Sequence, residues 1–319
     1  MTKFTGSLCA GVLLALGMAC APAQAGATRT WVSGKGSDSG PCALASPCRT
    51  FQYAHDQTAA GGEINVLDPA GYGSLTITKA ISIINDGVGE AGIQANGPGI
   101  SINAGTSDTI HLRGLTLLGT PTTGGAGIDF KAGGFLEVLT CTIRKFGTGI
   151  SIRPSNSSAS TSSIGFSISN SFLSDNGGGI DITPLSGPFL INGVIDKVTL
   201  SHNGFIGLNV FGGYVTGAIG VTIVNSVTSN HSNYGIYAAS QTGQAAVSII
   251  MRNSVANYNL YGLYAGQNAS IRMGHSVVAG SWGTGITIGG GGTIYSFGDN
   301  DIGGNTNDGL GNLTPLSPH

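Results

Sequence analysis

Residues 99–103 read GISIN, and the same form returns as GIDFK (127–131), GISIR (149–153), GIDIT (179–183), GLNVF (207–211), GIYAA (235–239), GLYAG (262–266) and GITIG (285–289). A ninth Gly-Leu pair stands at Gly309. Successive glycines lie between 22 residues (Gly127 to Gly149) and 30 residues (Gly149 to Gly179) apart. Inside each unit apolar and polar side chains alternate, which is the period of a half-buried strand. A strand that returns once per two dozen residues lies beside its counterpart in the next coil, and such coils bury their apolar faces by stacking. The reading is an all-β solenoid of about ten coils, a parallel β-helix spanning residues 63–310.

Two inward columns follow from the alternation. Ile100, Ile128, Ile150, Ile180, Leu208, Ile236, Leu263 and Ile286 form the first, and Ile102, Phe130, Ile152, Ile182, Val210, Ala238, Ala265 and Ile288 the second. Upstream, NSFLSDN, NSVTSN and NSVANYN place Asn170, Asn225 and Asn253 where a coil must bend, and Asn tolerates the left-handed conformation of a one-residue corner. Before the first coil, TFQYAHDQTAA (50–60) followed by Gly61-Gly62 reads as a short helix with a Thr cap and a Gly stop, a lid over the open N-terminal end. Residues 26–62 thus form a loop and capping helix, and 311–319 a terminating tail.

Composition agrees. Fifty-five glycines and only 9% charged residues disfavour a helical or doubly wound enzyme, and a net charge of −2 without a basic block leaves no footprint for nucleic acid. Lys3, the apolar run Leu8–Ala21 and the Ala23-Gln24-Ala25 end are those of a secretory signal peptide, residues 1–25. Lipid attachment at Cys20 is disfavoured because Gly17 stands where a bulky residue is expected. After signal removal no apolar segment is long enough to span a membrane, so the protein is expected to be secreted or periplasmic. In that oxidising compartment Cys42 and Cys48 in PCALASPC are expected to form a disulfide, leaving Cys141 as a small buried residue.

The stretches RTWVSGKGSDSGPCALASPCRTFQYA (29–54), AAGGEINVLDPAGYGSLTITKAISI (59–83), the Gly-Ile/Leu coils and GGTIYSFGDNDIGGN (291–305) resemble secreted bacterial right-handed parallel β-helix repeat proteins of the pectate-lyase-like superfold. The resemblance implies a right-handed solenoid and export, and no agreed activity. The chain departs from the polysaccharide-cleaving members: it has no adjacent Asp pair, and Gly274-His275-Ser276 matches half of the polygalacturonase Gly-His-Gly. Nor does it carry the Trp-Ile-Asp-His or Arg-x-Pro-x-x-Arg patterns of many pectate lyases, since Arg153-Pro154 lacks the second Arg.

The outward column Ser101, Asp129, Ser151, Asp181, Asn209, Tyr237, Tyr264, Thr287 is the candidate functional surface. Asn209, Tyr237 and Tyr264 are candidate carbohydrate contacts, because a tyrosine ring offers a sugar an apolar face and a hydroxyl. Tyr234 and Tyr261 stand nearer the corner and are open to an inward placement. Asp129 and Asp181 are candidate catalytic carboxylates, with Lys131 and Arg153 in the next outward column close enough to favour their ionised forms. A general acid needs the opposite, so the pattern suits a charge ladder or, if catalytic, β-elimination on a uronate. No cofactor or metal motif is present; calcium enters only under that lyase reading, held by Asp129 and Asp181. Three functions follow: a noncatalytic surface protein contacting glycan or cell-surface polysaccharide, which is favoured; a lyase or hydrolase of an acidic polysaccharide; or a structural, adhesin-like oligomer.

Overall fold

The computed structural model describes residues 26–120 and 124–317. The signal segment expected at 1–25 lies outside the described residues. Among those residues the strands collect into three all-parallel sheets of twelve, nine and ten strands. Each full coil gives one strand to each sheet: Ser162–Ser169 joins the twelve-stranded sheet, Phe172–Ser174 the ten-stranded and Gly178–Ile182 the nine-stranded, before Pro188–Asp196 returns to the first. The helical content is small, so the fold is all-β, a parallel solenoid of about ten coils.

Both inward columns pair in the expected register, Ile128 on Ile150, Ile150 on Ile180, Ile180 on Leu208 and so on. All of the first column is buried. The second is buried as far as Ala265, whereas Ile288 is 40% exposed because no strand follows it in the nine-stranded sheet. The repeat glycines are required by close backbone approach. A Cβ on Gly179 would lie 2.3 Å from the carbonyl oxygen of Gly207, and one on Gly235 2.8 Å from that of Gly262.

Corners are built by two stacked devices. Asn170, Asn225 and Asn253 have φ of 49°, 52° and 49°, the left-handed conformation that an Asn accepts readily. The residue after each is an inward serine whose hydroxyl accepts the N–H of the equivalent residue one coil earlier: Cys141 donates to Ser171 Oγ at 3.0 Å, and Ser226 to Ser254 Oγ at 3.1 Å. Cys141 therefore occupies a serine position, and burial pushes its thiol up to about 11, which leaves it unreactive. At the next corner a buried column runs Asn176, Asn203, His231, Asn259; the Asn176 amide donates to Ile143 O at 3.1 Å and to Asn203 Oδ1 at 3.0 Å.

The ends differ from expectation. The helix spans Phe51–Gln57 and stops before Gly61, because the Thr58 hydroxyl donates to Ala54 O at 2.6 Å and meets Thr30 Oγ1 at 2.8 Å, drawing the chain into the strand Thr58–Val66. The supposed loop supplies the strand Ala27–Val32, paired with it. The tail closes the other end in the same way, with Leu313–Pro315 paired to Thr293–Ser296. Phe51, Ala54 and His55 are buried under the helix as a lid. No described helix is long and apolar enough to cross a membrane, which does not bear on strands.

Candidate functional site

The outward column of the nine-stranded sheet is continuous. Ser101 pairs with Asp129, Asp129 with Ser151, Ser151 with Asp181, Asp181 with Asn209, Asn209 with Tyr237, Tyr237 with Tyr264 and Tyr264 with Thr287. The two candidate carboxylates are two rungs apart with Ser151 between them. That places their backbones about 9.6 Å apart. Among the described residues no three His, Cys, Asp or Glu side chains form a metal-holding group.

The surrounding charges also separate the pair. Asp129 is mostly buried and bonded to Lys131 Nζ at 3.2 Å, and Lys131 also reaches Ser101 Oγ at 3.4 Å. Arg153 is exposed and pairs with no carboxylate among the described residues, contrary to its expected place beside the acids. Among the described residues Asp181 has no cationic partner; its Oδ1 accepts from Thr183 Oγ1 and Asn209 Nδ2, each at 2.7 Å. Asp129 is thus a structural ion pair, and Asp181 belongs to an amide and hydroxyl cluster that leads toward the tyrosines.

Those tyrosines form one quartet. The rings of Tyr237 and Tyr264 stack at 4.8 Å with 4° between planes, and Tyr234 and Tyr261 stack at 5.0 Å and 26°. Tyr234 also lies 5.1 Å from Tyr237 and 5.2 Å from Tyr264. The inward alternative for Tyr234 and Tyr261 is therefore incorrect. Simple alternation would give Tyr234 the inward face of Ile236, but Gly235 and Ile236 are both buried, so the face changes at the repeat glycine and the residue before it points outward. Burial first, then the neighbouring phenol groups, push the hydroxyls of Tyr234 and Tyr237 above the ordinary tyrosine range.

Beside Tyr237 the surface opens into a shallow groove that the sequence reading missed. Its floor is Gly147, Gly177 and Gly178, one wall is Asp181 and Asn209, and the other is Phe205 and Ile206. Phe205 is 57% exposed. Ile206, like Tyr234 and Tyr261, immediately precedes a repeat glycine or near-glycine turn, so the groove is a column emptied at Gly178 and filled at the tyrosines. The run Gly177-Gly178-Gly179, with no side chain where other coils carry Thr148 or Tyr234, was the available signal. Cys42 and Cys48, far from this face in the N-terminal cap, are joined by a disulfide with their Cα atoms 4.9 Å apart.

A family model described as "Right handed beta helix region" matches residues 126–306. Among solved structures the fold is similar to that of a rhamnogalacturonan lyase, at 14% identity over 87% of each chain with a TM-score of 0.57. At that identity the likeness concerns the fold. No curated protein sequence matches.

Proposed function

The chain belongs to the right-handed β-helix family, and on that scaffold we propose that it is an exported, noncatalytic protein that contacts glycan along the groove and tyrosine quartet of its nine-stranded sheet. The observation that carries this reading is the continuity of the two features. A glycine-floored groove walled by an acid and an amide lies one rung from stacked phenol rings, since its wall residue Asn209 pairs with Tyr237. A pyranose has an apolar face and an equatorial rim of hydroxyls; the ring faces of Phe205 and Tyr237 suit the first, and Asp181 and Asn209 suit the second. Binding is modest, because a shallow site covers little of its ligand and stacked tyrosines contribute only about 0.5–1.5 kcal/mol each beyond area burial.

A polysaccharide-cleaving reading has one supporting observation, the lyase whose fold is similar. Against it stands the ion pairing of Asp129 with Lys131, which favours the ionised carboxylate over a general acid. Calorimetric titration of the mature protein against neutral and acidic polysaccharides, with product analysis of the same mixtures, distinguishes the readings. Binding without turnover, weakened tenfold or more by Tyr237→Ala with Tyr264→Ala, is the expected result. Chain cleavage abolished by Asp181→Asn would replace this proposal with the enzymatic one.

A further inference from the structure

From the strand Gly178–Ile182 to its last strand, Ile286–Ile288, the nine-stranded sheet carries one formally charged residue, Asp181. Its Oδ1 is held by Thr183 and Asn209, while Oδ2 accepts from no described residue. The side chain is half-buried beside the groove, so the carboxylate is partly stripped of water with one oxygen and its charge uncommitted. The two cations earlier on this face are placed elsewhere. Lys131 is bonded to Asp129. Arg153 follows Ile152, the partner of Ile182, and so lies past Asp181 on the side away from the groove floor at Gly178. On the tyrosine side, Tyr237 stacks on Tyr264, one rung further on, at 4.8 Å and 4°, so its second face looks back toward Asn209. The Asn209 amide points the other way, to Asp181.

We propose, resting on the glycan reading above, that this strip takes polysaccharides carrying free amino groups, such as polymers of glucosamine, and turns uronates away. An ammonium group supplies what Asp181 lacks: it donates to Oδ2 in a charge-assisted bond and balances the carboxylate. The open face of Tyr237 is the complementary second contact, because the quadrupole of a tyrosine ring attracts a cation to its face. Amino groups that recur along a chain meet the two features in turn, Asp181 and then Tyr237 two rungs on. A uronate meets the reverse. Its carboxylate approaches a like charge, and none of these five strands offers a Lys or Arg to receive it. An N-acetylated sugar presents a neutral amide, which stacks on a ring but leaves the charge of Asp181 unmatched. A lysine-rich peptide also carries ammonium groups, yet it lacks the pyranose faces that suit Phe205 and the glycine floor.

Calorimetric titration of the mature, disulfide-bonded protein at about pH 5.5, where carboxylates are ionised and amino sugars protonated, tests the proposal. The probes are hexasaccharides of glucosamine, N-acetylglucosamine and galacturonate, with polylysine as a fourth. The expected result is glucosamine binding about tenfold or more tighter than N-acetylglucosamine, with galacturonate weakest. Asp181→Asn keeps an oxygen for Thr183 and Asn209, and it should make the first two saccharides bind alike. Asn209→Lys gives Asp181 a counter-ion from within the chain and should remove the same preference. A merely structural role for either residue would not move this ratio. Equal affinity of the wild type for the amine and N-acetyl forms, tighter binding of galacturonate, a preference unchanged in both variants, or polylysine bound as tightly as the glucosamine chain would each overturn it. Saccharide binding without an amine preference leaves the glycan reading standing, whereas no binding of any saccharide removes both.

Discussion

His231 stands in the buried column of asparagines, and replacing it by Asn should both stabilise the protein and flatten its response to acid. The ring is fully buried. Its Nδ1 lies 3.1 Å from Asn203 O, while Nε2 has no hydrogen-bond partner among the described residues and faces the repeat glycine Gly207. The asparagines above and below make the bond that His231 cannot repeat in full: Asn203 donates its amide to Leu173 O at 3.2 Å and Asn259 to Thr228 O at 3.2 Å. An Asn at 231 would donate to Leu200 O and offer Oδ1 to the Asn203 N–H. Relieving the orphaned nitrogen and adding one bond is worth about 1–2 kcal/mol at neutral pH. Burial, the largest influence, together with nearby His202, lowers the imidazole from 6.5 to about 4. Above pH 6.5 the ring is neutral in both folded and unfolded chains and contributes no pH dependence. As pH falls the unfolded chain takes up the proton first, so stability is lost until the folded group also titrates near 4. That interval corresponds to about 3 kcal/mol. Urea unfolding of wild type and His231→Asn, followed by circular dichroism between pH 7.5 and 4, should show the variant ahead at pH 7.5 and the gap widening by that amount. Because exposed carboxylates titrate in both proteins, the difference between the curves is the readout. Parallel curves, or a variant less stable at pH 7.5, would refute the reasoning.

Two neighbouring glycines should behave in opposite ways. Gly179→Ala places a Cβ 2.3 Å from Gly207 O and should cost about 1–3 kcal/mol in unfolding free energy, whereas Gly178→Ala meets nothing closer than 3.9 Å and should leave the unfolding midpoint unchanged. Replacing Cys42 and Cys48 by Ser removes a short cross-link and should lower stability by about 2 kcal/mol on loop-entropy grounds, measured by thermal unfolding. Mass spectrometry of exported protein should find a mature chain beginning near Gly26 with Cys42 and Cys48 bonded and Cys141 reduced.

The coil core could be read from sequence because stacking repeats the same constraint at every rung. Ile150 meets the same neighbours as Ile180, so the alternation survives in each copy and the register follows from the repeat glycine. The corner asparagines were legible for the same reason, but their serines were not separated from them. In NS the Asn supplies the left-handed turn and the Ser the inward hydroxyl, and only coordinates show that Cys141 shares the serine's place. The site was half legible. The strip from Asp129 to Tyr264 lies in the order that alternation gives, yet alternation fails at Gly235, where two consecutive residues face inward and Tyr234 emerges outside. The groove was missed because its defining feature is an absent side chain at Gly178, and its far wall, Phe205 and Ile206, comes from the loop before the strand. At the termini, pairing with an open sheet edge overrode local turn signals: Thr58 leaves the helix early, and the proline-bearing tail adds a strand.

The glycan reading rests on the groove, and Gly178 gives direct access to it. A side chain added there has open space, with its nearest neighbours Ile206 O at 3.9 Å and Thr148 Oγ1 at 4.0 Å, and a backbone that requires no positive φ. Gly178→Leu should therefore fill the floor between Asp181 and Phe205 while leaving the tyrosine quartet and the coil core as they are. The deciding measurement is calorimetric titration of wild type and Gly178→Leu with the polysaccharide that binds best, alongside thermal unfolding of both. The account predicts equal unfolding midpoints and at least a tenfold weaker affinity for the variant. Equal affinity for the two proteins at equal stability would contradict it.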